Sequence, residues 1–238
     1  MGEMIRRNAA AEDIIADVEA TLTNAVATGG VWKDLAEEQL SNVVALINDV
    51  DARLETATSA LEPLLAGLDA KNDEADALLG RISDEIWNEV GRPASDAALS
   101  VLFPGGIAYY ADGSVEKQPG RMDLLVELLE SRVHPRLAPD QVKAHVKEIR
   151  ASSRQLRVAV DAVSGPSERV ELLERVRRAL ATVAHADLTS LKRLYKNAHF
   201  SEADIHAVIP SRPAPSRRPA TAPPDSAPQP GAAAGALP

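Results

Sequence analysis

Residues 40–86 read LSNVVALINDVDARLETATSALEPLLAGLDAKNDEADALLGRISDEI. Leu40, Val43, Ile47, Val50, Leu54, Ala57 and Leu61 recur at alternating steps of three and four. Leu65, Leu68, Asn72, Ala75, Leu79, Ile82 and Ile86 carry the rhythm on. Such spacing lines one side of an α-helix with apolar groups that must be buried against another helix. Pro63, Gly67 and the polar run 69–73 interrupt the pattern. A hairpin turning near residues 66–73 would use Gly, Asp and Asn where a turn needs them. A single helix kinked at Pro63 keeps the stripe unbroken, because the proline ring bends a helix without ending the pattern. Turn composition favours the hairpin. In the kinked helix, Asn72 would sit at a core position and set register or oligomeric state.

A second 4,3 seam runs through Val142, Val146, Ile149, Ser153, Leu156, Val160 and Val163. Pro139 suits the first turn of that helix. The run Ser164–Ser167 reads as its end, with Gly165 as cap and Pro166 unable to continue the ladder. The next helix carries Val170, Leu173, Val176, Leu180 and Val183, then Leu188, Leu191 and Tyr195, with a seam shift around 184–187. Before the long stretch, Ile15, Val18, Leu22 and Val26 mark a helix that Gly29-Gly30 ends. A short helix is expected at 95–102 and another from Arg121 to His134. A last one covers 201–208, where Ser201 and Asp204 make a capping-box variant.

Aromatic residues make up only 3% of 238 residues, against 45% hydrophobic, so the core must be Leu, Val, Ile and Ala. That palette favours helices over sheets. The expected fold is all-α: an elongated antiparallel helical bundle with coiled-coil-like seams. Its parts are an acidic helical segment 1–90, a crossover loop 91–118, a mildly basic helical segment 119–209 packing on the first, and a disordered Pro/Ala-rich tail 210–238. The tail has too little to bury to offset its ordering entropy. Its Pro210 to Pro213 spacing beside Arg212 is common to SH3-type ligands and ordinary proline-rich linkers.

Charge is segregated. Residues 1–118 hold 8 Lys/Arg against 22 Asp/Glu, residues 119–209 hold 15 against 12, and the whole chain is −9. Net negative charge disfavours nucleic acid. Lys143, Lys147, Arg150, Arg154 and Arg157 nevertheless form a basic stripe one residue after each core position of the second seam. It is a candidate contact for an acidic partner, or for peripheral attachment to an anionic membrane, and otherwise pairs with the acidic half of the chain.

The loop LFPGGIAYYADGS, Leu102–Ser114, gathers turn formers and tyrosines. Asp112-Gly113 is a favoured two-residue turn, so a small β-hairpin is admitted there. Trp87, Phe103, Tyr109 and Tyr110 are four of the chain's seven aromatics. They read either as a plug at one end of the helices or as a ligand pocket or docking knob.

Reactive chemistry is hard to find. No cysteine occurs, which removes disulfides and thiolate metal sites. The five histidines, His134, His145, His185, His199 and His206, form neither H-E-x-x-H nor a di-iron pattern. Residues 69–76 lack calcium-loop spacing. Pro104-Gly105-Gly106 has no Lys-Ser/Thr after it, and no nucleophile elbow or dinucleotide fingerprint appears. No cofactor or metal is expected. No apolar run spans a bilayer, and a cytoplasmic location is expected. The leading expectation is a non-catalytic scaffold or adaptor, not an enzyme, binding a protein partner or its own copies. The alternatives are a protein that coats anionic lipid or hydrophobic particles, and a small-molecule binder or enzyme using the 87–110 aromatics.

Overall fold

The computed structural model describes residues 4–212. The chain is all-α, with no strand among the described residues. Its helices are α1 (Ala11–Thr28), α2 (Gly30–Glu89), α3 (Ala97–Leu102), α4 (Ala108–Ala111), α5 (Gln118–Glu130), α6 (Pro139–Asn197) and α7 (Glu202–Val208), with a 3-10 turn at Val115–Lys117. The tail expected to be disordered lies outside the described residues from 213 onward.

α2 and α6, of 60 and 59 residues, dominate. At 1.5 Å per residue each is about 90 Å long. Arg177 of α6 meets Asp51 of α2 at 2.6 Å, and farther along Arg81 of α2 meets Glu148 of α6. Numbers rise on one helix as they fall on the other, so the two run antiparallel. The same register sets Pro63 level with Pro166.

Two expected breaks are therefore absent. The hairpin near 66–73 is wrong: α2 passes straight through it. Its polar residues are satisfied on the helix surface, Lys71 by Glu74 at 2.5 Å and Asn72 by Asp76 at 3.1 Å. The end expected at 164–167 is also wrong, since α6 runs through Gly165 and Pro166. A proline inside a helix costs about 3 kcal/mol. Each Leu or Val buried on either side contributes about 1.5–3 kcal/mol. Leu61, Leu68, Ala75 and Leu79 follow Pro63 or flank it on the buried side, so tertiary packing overrides the local signal.

Turns occur where the backbone demands them. Gly29, at φ 77°, donates its N–H to Ala25 at 2.9 Å and ends α1. α6 ends with His199 at φ 65°, and the Phe200 N–H reaches back to the Tyr195 carbonyl at 3.2 Å. That closure swings Phe200 onto Trp32, where the rings stack at 3.8 Å. Tyr195 completes the cluster and donates its hydroxyl to the Trp32 carbonyl at 2.9 Å. Ser201 caps α7 through the Asp204 N–H, as its spacing indicates.

The hydrophobic core is in two pieces. One, at the α1 and α7 end, holds Ile14, Val18, Leu40, Ile47, Ala184, Leu188 and Leu191. The other, at the α5 end, holds Leu79, Ile82, Ile86, Leu125, Ile149 and Leu156. The first stops at Ile47 and Ala181; the second starts at Leu61 and Val163. Between them only α2 and α6 are present. Burial records the difference: Leu40, Leu79 and Leu188 are 0% exposed, whereas Val50, Ala57, Leu61, Leu68 and Val163 keep 8–9%. Each end is three helices thick and the middle is two.

Candidate functional site

The crossover 91–118 returns the chain from the end of α2 to α5. Asp96 starts it by accepting from the Ala98 and Leu99 N–H groups at 2.8 and 3.1 Å, which caps α3. These bonds, chiefly that from Leu99, hold the Asp96 carboxyl below its usual range. The same carboxylate takes Nε2–H of buried His134 at 3.2 Å, while His134 Nδ1 accepts the Arg136 N–H at 3.2 Å. Both ring nitrogens are thus consumed in holding the loop. The hairpin admitted at Asp112-Gly113 does not form. Arg121 from α5 spans that turn, donating to the carbonyls of Tyr109, Asp112 and Ser114. Those acceptors would have had to serve a strand ladder.

The four loop aromatics are not gathered around one cavity. Tyr110 is fully buried and donates its hydroxyl to the Leu102 carbonyl at 2.6 Å. Burial first, then the neighbouring Tyr109, pushes its pKa up to about 12. Tyr109 packs edge-on against it at 5.0 Å and is exposed on its outer side. Trp87 and half-buried Phe103 line a shallow cleft of about 480 Å³ with Ser83, Asp84 and Asp96. Trp87 donates to the Pro93 carbonyl at 3.4 Å, and Arg92 sits over its ring at 5.6 Å. The cleft's Asp96 is already spent on the α3 cap and His134. A second cavity, about 290 Å³, lies between Leu102, Leu128, Leu137 and Val142, with His134 in its wall. No group of three or more His, Asp or Glu among the described residues could hold a metal ion.

The basic stripe divides: two of its five members reach α5 and three do not. Arg150 pairs with Glu130 at 2.8 Å, Arg157 with Asp123 at 2.5 Å, and Lys143 with Asp140 of its own helix at 3.3 Å. Lys147 and Arg154 are exposed and make no ion pair with another described residue. Exposed pairs of this kind contribute about 0.2–1 kcal/mol each.

An unpartnered apolar surface lies elsewhere, along the outward side of α6. Val158 is 69% exposed, Leu172 56%, Val176 38% and Val183 50%. Expectation had put Val176 and Val183 in the buried seam. The structure buries Ala181, Ala184, Leu188, Leu191 and Tyr195 instead, which continue the Val142–Val163 seam in the same 4,3 register through half-buried Ser167, Val170 and Arg177, so Val176 and Val183 lie off it. On the α2 side the floor is completed by two shallow troughs. One, about 530 Å³, runs past Ala52, Thr56, Ala60, Gly165, Pro166 and Arg169. The other, about 580 Å³, runs past Pro63, Leu64, Gly67, Val158, Ala159 and Ala162. Their residues step by three and four along both helices, so the troughs are consecutive lengths of one groove over the two-helix middle. Residues 155, 158 and 162 lie on the far side of α6 from Ser153 and Arg157, which face α5. The 4,3 spacing of this outer stripe was available in the sequence; the buried seam beside it masked it.

No family model matches this chain, and no curated protein or solved structure matches it either.

Proposed function

We propose that this chain is a non-catalytic helical scaffold that makes protein–protein or self-association contacts through the exposed face of its long helix pair. One observation carries the reading: Val158, Leu172, Val176 and Val183 line the outward side of α6 with no helix over them, and the α2–α6 groove past Pro63 and Pro166 is equally uncovered, although both ends of the same helix pair are covered. Contiguous exposed apolar surface of this kind marks an interaction site. In this elongated antiparallel arrangement the seams act as structural struts, and the middle is the contact surface.

The test is molar mass by light scattering over a concentration series at low and high salt, with flotation on anionic and neutral vesicles in parallel. A mass above the monomer, or a stoichiometric protein partner recovered at low salt, supports the scaffold. A strict monomer that recovers no protein and floats with anionic vesicles overturns it in favour of a lipid-coating protein. Lys147→Glu and Arg154→Glu should then weaken flotation.

A further inference from the structure

Counted at helical spacing, the outward face of α6 carries a complete second seam. Val158, Ala162, Gly165, Arg169, Leu172, Val176, Ala179 and Val183 follow each other at strict steps of four and three, and all eight are exposed. Seven of the eight positions are apolar or glycine. The one exception, Arg169, has a long apolar stem that covers neighbouring surface while its head stays in water. A 4,3 stripe facing solvent is the pattern by which one helix packs knobs into the holes of another. The chain therefore contains a helix with two seams, one filled by α2 and one empty.

Resting on the scaffold reading, we propose that the occupant is a second copy of this chain, its α6 laid antiparallel against the first across a two-fold axis near residues 170–171. The register follows from the stripe itself. Matching its two ends places Val158 against Val183 of the second copy, Ala162 against Ala179, Gly165 against Val176, and Arg169 against Leu172. Gly165 leaves room for Val176, and the Arg169 stem lies along Leu172 at the axis. Charge agrees with the same register. The positions flanking the seam on one side are Asp161, Glu168, Arg175 and Thr182. Glu168 falls beside Arg175 of the second copy, and symmetry repeats the pair. Neither residue has an ion-pair partner among the described residues of its own chain. A parallel arrangement would instead set Glu168 beside Leu173 and Arg175 beside Leu180 of the second copy, pairing no opposite charges.

The stripe is about 38 Å long at 1.5 Å per residue and one helix, about 10 Å, wide. That is a strip of about 400 Å² on each copy, so the association is modest and concentration-dependent. The stripe runs from Val158, beside the α5 end, to Val183, level with α1, whose Glu12 reaches Arg177.

Sedimentation equilibrium of the full chain, as wild type and as Leu172→Glu/Val176→Glu, tests the proposal. The wild type is expected to be a dimer, and the double variant to dissociate at least about 100-fold more readily, a change of about 2.7 kcal/mol. Its far-UV circular dichroism should stay helical, because both positions are exposed in the single chain. Glu168→Arg and Arg175→Glu should each weaken the dimer, and the two together should restore it. Register is read by disulfide trapping, since the chain has no cysteine of its own. Val158→Cys/Val183→Cys should form interchain bonds, whereas Val158→Cys alone should not. A monomeric wild type overturns the self-association. A dimer unaffected by Leu172→Glu/Val176→Glu overturns this surface while leaving the scaffold reading intact. Efficient trapping of Val158→Cys alone overturns the antiparallel register.

Discussion

Two glycines decide by the sign of their effect whether the long helices are continuous. Gly67 lies where a turn was expected and Gly165 where a cap was expected. In the structure neither adopts positive φ, and no atom lies within 4 Å of where a Cβ would sit at either. Replacing each by alanine therefore adds a methyl group into open space and removes glycine's entropic penalty. Alanine is favoured over glycine inside a helix by about 0.8–1.0 kcal/mol. The sites are far enough apart in sequence and helix for the gains to add, to about 2 kcal/mol for Gly67→Ala/Gly165→Ala. For a chain of this size 1 kcal/mol moves Tm by about 2–4 °C, so the pair should raise it by about 4–8 °C. Gly91, at φ 89° just past the end of α2, is the control with opposite sign. Gly91→Ala forces an L-residue into the left-handed region and should cost about 1–2 kcal/mol. The assay is thermal unfolding followed by circular dichroism in dilute solution, where assembly does not contribute. A fall in Tm for Gly67→Ala or Gly165→Ala would refute the continuous helices, because alanine is penalised there only if the backbone turns.

Other substitutions probe the packing. Leu79→Ala, at a fully buried position in the α5-end core, should cost about 2–5 kcal/mol in urea unfolding. Tyr195→Phe removes the donor to the Trp32 carbonyl and should cost about 1–3 kcal/mol, with a shift in Trp32 emission. His145 is buried between α2 and α6, has no hydrogen-bond partner for either ring nitrogen, and keeps the Glu85 carboxylate only at 3.7 Å. His145→Leu should therefore leave stability unchanged or raise it, and a loss above about 1 kcal/mol would contradict that reading. Burial raises Tyr195, and burial with Tyr109 raises Tyr110, from 10.0 to about 12. Above pH 10 the unfolded chain then gives up phenol protons that the folded chain retains. Stability should be full below pH 10 and fall as pH rises towards 12, and Tyr110→Phe/Tyr195→Phe should flatten that fall.

The helical class and most seam residues were legible because aliphatic spacing is a local signal. Leu40, Ile47, Leu79, Ile86, Ile149 and Leu156 are all buried where their spacing puts them. Pro139 at the first turn of α6 and the Ser201 cap were equally readable, since each acts within one helical turn. Continuity through Pro63 and Pro166 was not readable, because the energy that overrides each proline comes from a helix about a hundred residues away in sequence. The loop hairpin failed for a similar reason: Arg121 takes the carbonyls, and nothing in Asp112-Gly113 announces it. The side-chain set on the contact face was misread for a subtler cause. α6 has two 4,3 stripes two residues apart, and Val176 and Val183, more apolar than the Glu174 and Arg177 that continue the buried one, belong to the outer stripe. Only knowing which side faces α2 separates them. Likewise Trp32, Tyr195 and Phe200 come together only through the fold-back at His199.

Pro63 and Pro166 stand at the same level of the antiparallel pair, in the stretch with no third helix. Each omits one rung of its own backbone ladder, having no N–H to give. A bend at that height asks neither strand to break a rung it still has, and the surrounding contacts are the sparsest in the molecule. A bend there would move the two thick ends as lever arms. A second chain laid across it would act as a splint, so docking and stiffening would be a single event.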